Sequence, residues 1–163
     1  MRQEQSGTVD VRIVDYKPKY RSFFRDLNYE WLEEYFTVEP YDRIVLNDPD
    51  KHILKAGGKI LFALVEGQVV GTVALLKHTP TKYELAKMAV TEQARGHRVG
   101  YRLCEAAIEK ARALGATDLV LATSPLLTAA NRMYEQIGFV RVDPIEIGPL
   151  PYQRHSIVMG MQL

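Results

Sequence analysis

Residues 84–114 read ELAKMAVTEQARGHRVGYRLCEAAIEKARAL, and the fold turns on this stretch. Tyr83 to Val90 has the composition of a strand, TEQARGHRVG is a turn carrying Gly96 and Gly100, and the rest is an amphipathic helix. Leu103, Ala107, Ala111 and Leu114 line the inner face of that helix, and Gly115 is placed to end it. A glycine-bearing turn feeding a helix N-terminus leaves several backbone N–H groups unpaired and pointing one way. The helix dipole adds partial positive charge there, so the geometry suits an anionic pyrophosphate. Residues 93–112 set Arg95, Arg98, Arg102, Lys110 and Arg112 against Glu105 and Glu109, a local surplus of three positive charges. The Walker ending Gly-Lys-Ser/Thr is absent, with Val99-Gly100-Tyr101 in its place, and there is no GxGxxG. Taken alone, the fragment is equally a plain strand-to-helix turn.

Downstream, Asp118 to Thr123 is a compact apolar strand, and Leu126 to Ile137 reads as a second helix stopped by Gly138. A short strand through Phe139, a Pro/Gly loop (DPIEIGPLPY) and a last alternating run, Ser156 to Leu163, complete the chain. Upstream, Val9, Val11 and Ile13 alternate as a strand does. From Lys19 to Phe36 the spacing of Phe24, Leu27, Trp31 and Tyr35 becomes helical, widened by Phe23, Leu32 and Phe36. Pro40 and Pro49 bracket a short helix, and Gly57-Gly58 ends the segment. ILFALVEGQVVGTVALLK is a hairpin hinged at Glu66-Gly67, and Pro80 breaks the chain before the next strand. The predicted order is βααβββαβαββ. That is an α/β (α+β) chain with a mixed sheet, antiparallel early and with one βαβ crossover late.

Length and composition narrow the class further. The chain has 163 residues, 47% hydrophobic and 25% charged, enough for one domain over 1–163 with a real core and too ordinary for disorder or low complexity. A net charge of +1 gives no bulk attraction to nucleic acid or an acidic membrane. Lone Cys104 cannot form an intramolecular disulfide, and MRQEQSGTVDVRIV has no apolar signal core. The longest nearly apolar stretch, Val69 to Leu76, is far below the ~18 residues of a membrane helix. The expectation is a soluble cytoplasmic protein without nucleic-acid or membrane partners, with a homodimer open to it. No His, Cys, Asp and Glu cluster has metal-ligand spacing, so no metal is expected.

The wider pattern resembles the GNAT superfamily of acyl-CoA-dependent N-acetyltransferases. The pyrophosphate loop of that family, Gln or Arg, two residues, Gly, one residue, Gly or Ala, is approached by Gln93, Arg95-Gly96, Arg98 and Gly100. Its second hallmark, a helix ending in Tyr–xxx–Gly-Phe, is present as MYEQIGF, with Met133, Tyr134, Gly138 and Phe139. One helix and one apolar strand separate the hallmarks, and the likeness runs from the first strand to PYQRHSIVMGMQL. There are two departures. Arg98 stands where a small residue is usual and must point outward, and Leu127 stands where many members carry asparagine, seven residues before the tyrosine.

The resemblance implies a GNAT-like fold, a central twisted, mostly antiparallel sheet flanked by helices, with the βαβ crossover binding acetyl-CoA. It also implies direct attack of a neutral amine on the acetyl thioester, with both substrates bound. Arg95, Gly96, His97, Arg98, Val99 and Gly100 would bind the cofactor at its phosphates, and Met88, Ala89 and Val90 would meet it through the main chain. Thr128 and Asn131 are candidates for the contacts that Leu127 cannot make. Tyr134 would serve the departing thiolate, as proton donor or as hydrogen-bond donor to sulfur. Glu84, on the strand lining the cleft, is the leading general base; solvation at a strand start is the competing explanation. His78 and His155 titrate in the right range but stand alone, and Cys104 reads as a small buried hydrophobe.

For the acceptor, a small-molecule or peptide amine, the first third is the place to look. Nine of the fifteen aromatic residues lie within the first 41 positions. Residues 26–50 carry Asp26, Glu30, Glu33, Glu34, Glu39, Asp42, Asp48 and Asp50 against Arg43 alone. Such a wall predicts a cationic acceptor, lysine-like or polyamine; a solvated helix face over a core stripe is the other reading. Two rival functions share these residues: a non-catalytic acyl-CoA sensor or docking domain, and an unrelated nucleotide-phosphate enzyme, which the missing Walker lysine disfavours.

Overall fold

In the computed structural model, residues 10–154 and 157–163 are described; Val9, His155 and Ser156, named above, lie outside them. In chain order the elements are β1 (Val11–Asp15), α1 (Arg21–Tyr35), α2 (Pro40–Asn47), β2 (Lys59–Val65), β3 (Gln68–Thr79) and β4 (Lys82–Val90). Then come α3 (Val99–Ala113), β5 (Asp118–Thr123), α4 (Thr128–Ile137), β6 (Val140–Arg141) and β7 (Ile157–Gln162). The strands form one sheet in the order β1-β2-β3-β4-β5-β7-β6. All neighbours are antiparallel except β4 and β5, which are joined through α3 and run parallel. This is the expected mixed sheet with its late crossover.

The apolar run in β2 is continuous because both of its faces are buried. Ile60, Phe62 and Leu64 pack beneath α1 and α2 with Phe24, Leu32, Val45 and Leu46. Leu61 and Ala63 point the other way, into the larger cluster built with Leu103, Ala107 and Ala111 of α3. Gly71 of β3 lets α3 come close: a Cβ there would lie 3.0 Å from Leu103 Cδ1 and 3.1 Å from Val99 Cγ1. One face of the sheet thus carries α1 and α2, and the other carries α3 and α4.

Two local departures from the regular pattern lie near the middle of the sheet. α4 starts at Thr128 rather than Leu126, because Ser124 takes the chain into a turn, its Oγ accepting from Leu126 N–H and its carbonyl from Leu127 N–H. In β4, Lys87 adopts φ 56°, and the pairing with β3 slips between Thr72↔Ala89 and Ala74↔Ala86, so that Lys87 and Met88 both oppose Val73. This bulge inverts the alternation of the strand. Tyr83 and Leu85 face the α3 side before it, whereas Met88 and Val90 do so after it.

Candidate active site

The turn after β4 is held by Thr91 N–H on the Val70 carbonyl and a single 3₁₀ turn, Glu92–Ala94. Gly96 then takes φ 88° and Arg98 φ 62°, delivering the chain to the first turn of α3. Among the described residues, the N–H groups of Gly96, Arg98, Val99, Gly100 and Tyr101 have no backbone acceptor, the unpaired cradle a helix N-terminus offers an anion. Gly100 faces Met88 and Met133, whose sulfurs lie 3.7 and 3.8 Å from the Cβ it lacks. Arg98 points outward, its guanidinium 4.3 Å above the Tyr101 ring, and His97 is exposed.

Arg95, expected among the phosphate ligands, lines the cavity described below and makes its hydrogen bonds within the protein. Its Nε donates to the Val90 carbonyl at 3.2 Å and its Nη1 to Glu34 at 2.9 Å. The Arg95 hydrogen bond holds the Glu34 carboxyl below its usual range. The side chain therefore braces the turn against α1, which a loop motif read without α1 could not reveal.

Beyond Glu84 and Val120, β4 and β5 stop pairing, and a cavity of about 330 Å³ opens at this wedge. Met88 and Val90 line it from β4, and Leu127, Ala130 and Tyr134 line it from one face of α4. Tyr134 is buried, edge-on to Phe139 at 5.8 Å between ring centroids. Burial first, and the neighbouring Cys104 second, push its phenol well above the usual range. Among the described residues no group hydrogen-bonds its hydroxyl. Burial also raises the Cys104 thiol to about 12, which keeps it out of nucleophilic chemistry.

Thr128 and Asn131 are not on the cavity wall; Leu127 is. Thr128 is exposed at the start of α4. Asn131 accepts from Thr123 Oγ1 at 2.8 Å and donates to the Ser124 carbonyl at 2.9 Å. It fastens α4 to the end of β5, a role that the offset from Tyr134 does not disclose.

On the other side of the bulge, Glu84 lines the cavity with His78, Nε2 to Oε1 at 2.7 Å, the carboxylate side chain only 16% exposed. His78 and Glu84 come together because Leu76 and Glu84 are paired across β3 and β4. Next to them sits a cluster that sequence reasoning missed. Lys87 Nζ donates to Asp42 Oδ1 at 3.2 Å and to the Tyr152 hydroxyl. Arg154 grips Asp42 with two N–H groups, at 2.9 and 2.7 Å, and reaches Glu39 at 3.2 Å. The Tyr152 ring is close to both cations, its centroid 4.3 Å from Lys87 Nζ and 4.1 Å from the Arg154 guanidinium carbon. Burial alone would push the Asp42 carboxyl up, but Arg154, the Glu39 N–H and Lys87 outweigh it and hold it below its usual range. Burial lowers Lys87 to about 8 against the opposing pull of Asp42. The one hint in the sequence was PYQR, an aromatic and a cation inside a proline-rich loop.

The acidic wall expected from residues 26–50 is not on the cavity: none of its eight carboxylates lines it. Glu34 serves Arg95, Glu39 and Asp42 serve Arg154, Asp48 and Asp50 pair with Arg21, and Asp26 pairs with Arg25. Glu30 and Glu33 are not on the cavity wall either.

Among the described residues, no group of three or more His, Cys, Asp or Glu side chains could hold a metal ion. No helix among them is long and apolar enough to cross a membrane.

A family model described as "Acetyltransferase (GNAT) family" matches residues 20–139. An N-acetylaspartate synthetase of Xenopus tropicalis is 30% identical over 118 residues, 71% of this chain and 44% of that protein. The uncharacterized N-acetyltransferase YvbK of Bacillus subtilis is 32% identical over 118 residues, 71% of this chain and 76% of that one. The chain thus spans less than half the length of the vertebrate synthetase. Among solved structures, a GNAT-family acetyltransferase of Staphylococcus aureus superposes with a TM-score of 0.83 at 17% identity, covering 94% of this chain and 99% of that one. The PaiA N-acetyltransferase of Thermoplasma acidophilum, solved with coenzyme A, gives 0.71 at 13% over 94% and 99%. At these identities the likeness is one of fold.

Proposed function

The chain belongs to the acetyltransferase (GNAT) family, and from that premise we propose that it transfers an acetyl group from acetyl-CoA to a primary amine, both substrates bound together, as one domain over 1–163. The observation that carries the reading is a single cavity reaching from Met88, Val90 and Tyr134 at the β4–β5 wedge to Glu84 and His78 beyond the bulge. The residues present fit the co-substrate. The unpaired N–H groups from Gly96 to Tyr101 would hold its pyrophosphate, and the wedge beside Leu127 and Ala130 would take its thiol-bearing arm.

Acetyl-CoA supplies an electrophilic acyl carbon and a thiolate leaving group. Glu84, backed by His78, accepts the proton that an ammonium must lose before it can attack. A C–N bond then forms as the C–S bond breaks, the sulfur leaving with the bonding electron pair and taking up the proton that the new amide nitrogen sheds, and co-binding removes much of the entropic barrier. Ala89 is paired with Thr72 of β3, so main-chain donors of Met88 and Val90, beyond the end of the β4–β5 pairing, are the groups available to charge growing on the carbonyl oxygen. Tyr134, its phenol kept protonated by burial, hydrogen-bonds the departing sulfur. With a pKa far above a thiol's ~8.5 it stabilises the thiolate as a hydrogen-bond donor more readily than it surrenders its proton. The synthetase relatives are named for N-acetylaspartate, and the name YvbK carries no acceptor.

The test is thiol release from acetyl-CoA across a panel of amines, with Tyr134→Phe beside the parent. The variant should lose about tenfold or more in kcat while keeping its affinity for CoA. A parent that binds CoA but releases no thiol with any amine would reduce the protein to a binding module.

A further inference from the structure

Among the described residues, the charged side chains on the cavity wall are Glu84, Lys87, Arg95 and Arg154, three cations to one carboxylate. Arg95 is matched by Glu34, which lies outside the cavity. Lys87 and Arg154 share Asp42, which sits fully buried behind the wall, and Glu39 touches Arg154 at 3.2 Å. Cations face the cavity and their counter-charges stand behind them. The donors of the pair are not all used. An ammonium has three N–H groups, and Lys87 gives them to Asp42 and the Tyr152 hydroxyl. Arg154 Nε is buried and, among the described residues, has no hydrogen-bond partner, on a side chain only 7% exposed. Buried donors are nearly always paired; two residues of this wall, Arg154 through Nε and Arg95 through Nη2, each keep one donor that no described group accepts, and the one on Arg154 lies beside a lysine, so the wall is short of acceptor oxygens there.

We propose that the acceptor amine carries a carboxylate, docked on Lys87 and Arg154 beside Tyr152, so that the substrate is a small amino acid. This rests on the acetyltransferase reading of the same cavity. Two oxygens in one plane match one ammonium and one guanidinium N–H. The Tyr152 ring, stacked against both cations, keeps them in place. The amine of the same molecule is left toward Glu84, whose charge Lys87 already feels. The acceptor is then the opposite of the cationic amine that the acids of residues 26–50 suggested.

The experiment uses the full chain and matched sets: several α-amino acids, aspartate among them, each with its carboxamide and with the amine lacking the carboxyl group. Thiol release should give a kcat/KM at least about tenfold higher for the acid than for either partner, because a site built on charged donors rejects a ligand that leaves them unpaired. Amide or plain amine used as well as the acid would overturn the proposal, and so would an aminoalkylphosphonate preferred to its carboxylate counterpart. Lys87→Gln, which can still hydrogen-bond Asp42 and Tyr152, should shrink the acid-over-amide preference by about tenfold; an unchanged preference would remove Lys87 from the site. Thermal melting with CoA present reads docking without turnover. N-acetyl amino acids should raise the melting temperature and their amides should not, and equal shifts would overturn the proposal. Acetylation of every amine alike defeats only the carboxylate site. Absence of acetylation altogether defeats the acetyltransferase reading, and the melting arm still decides the docking.

Discussion

Lys87 holds a left-handed backbone, φ 56°, at a cost of about 1–3 kcal/mol for a residue with a Cβ, while its ammonium is buried against Asp42 and Tyr152. Its proton is the weakly held one of this site. Folded, Lys87 titrates at about 8, against 10.5 for an ordinary lysine, because burial disfavours the cation more than Asp42 favours it. Between those values the unfolded chain keeps a proton that the folded chain has released, so this residue makes stability rise with pH across roughly 8 to 10.5. Urea denaturation of the parent and of Lys87→Met at a series of pH values should show the difference between them shifting in favour of the parent over that window. A pH-independent difference would mean that the ammonium is not buried as described. Nothing in ELAKMAV announces this: a lysine at a bulge looks like a lysine on a strand, and only the pairing with β3 tells them apart.

At the scale of elements, the turn from β4 into α3 does most with least. Gly96 at φ 88° has open space where a Cβ would go, so an alanine there meets only the backbone penalty of the left-handed region, about 1–2 kcal/mol. Gly96→Ala should accordingly weaken CoA binding about 5- to 30-fold by calorimetry, whereas unchanged affinity would take the cradle out of phosphate binding. This element was the most legible part of the chain, since glycine spacing and helical periodicity are local. The strands were legible for the same reason: Ile60 to Val65 is apolar throughout because alternate residues serve opposite faces. Tyr134 came with its motif, and it lines the cavity. Arg95 and Asn131 read from the sequence as cofactor contacts; their hydrogen bonds to Glu34 and Thr123 were not legible, because those partners lie on other elements.

Across the whole molecule, Asp42 joins segments that are remote in sequence, α2, the β4 bulge and the loop before β7, through Lys87 and Arg154. Its bonds to Arg154 span 112 positions, which no composition or periodicity encodes; the acids of residues 26–50 were countable, and the cations they answer were not. Asp42→Asn leaves the buried Lys87 without its counter-charge and Arg154 with Glu39 alone, and should cost about 3–5 kcal/mol in urea denaturation. Asp42 titrates below its usual range when folded, so its contribution is complete above the unfolded pKa and drains away as pH falls through the folded one. The gap between parent and Asp42→Asn should therefore close in acid, and a gap that persists there would assign the loss to shape rather than charge. The β4–β5 junction, paired only from Lys82 to Glu84 against Asp118 to Val120, has a mechanical side as well. A sheet notched in this way is two plates sharing a short weld, with α3 riding as a spring from one to the other. Load or heat would be expected to tear the joint from its open end, and a molecule bridging the notch would act as a rivet.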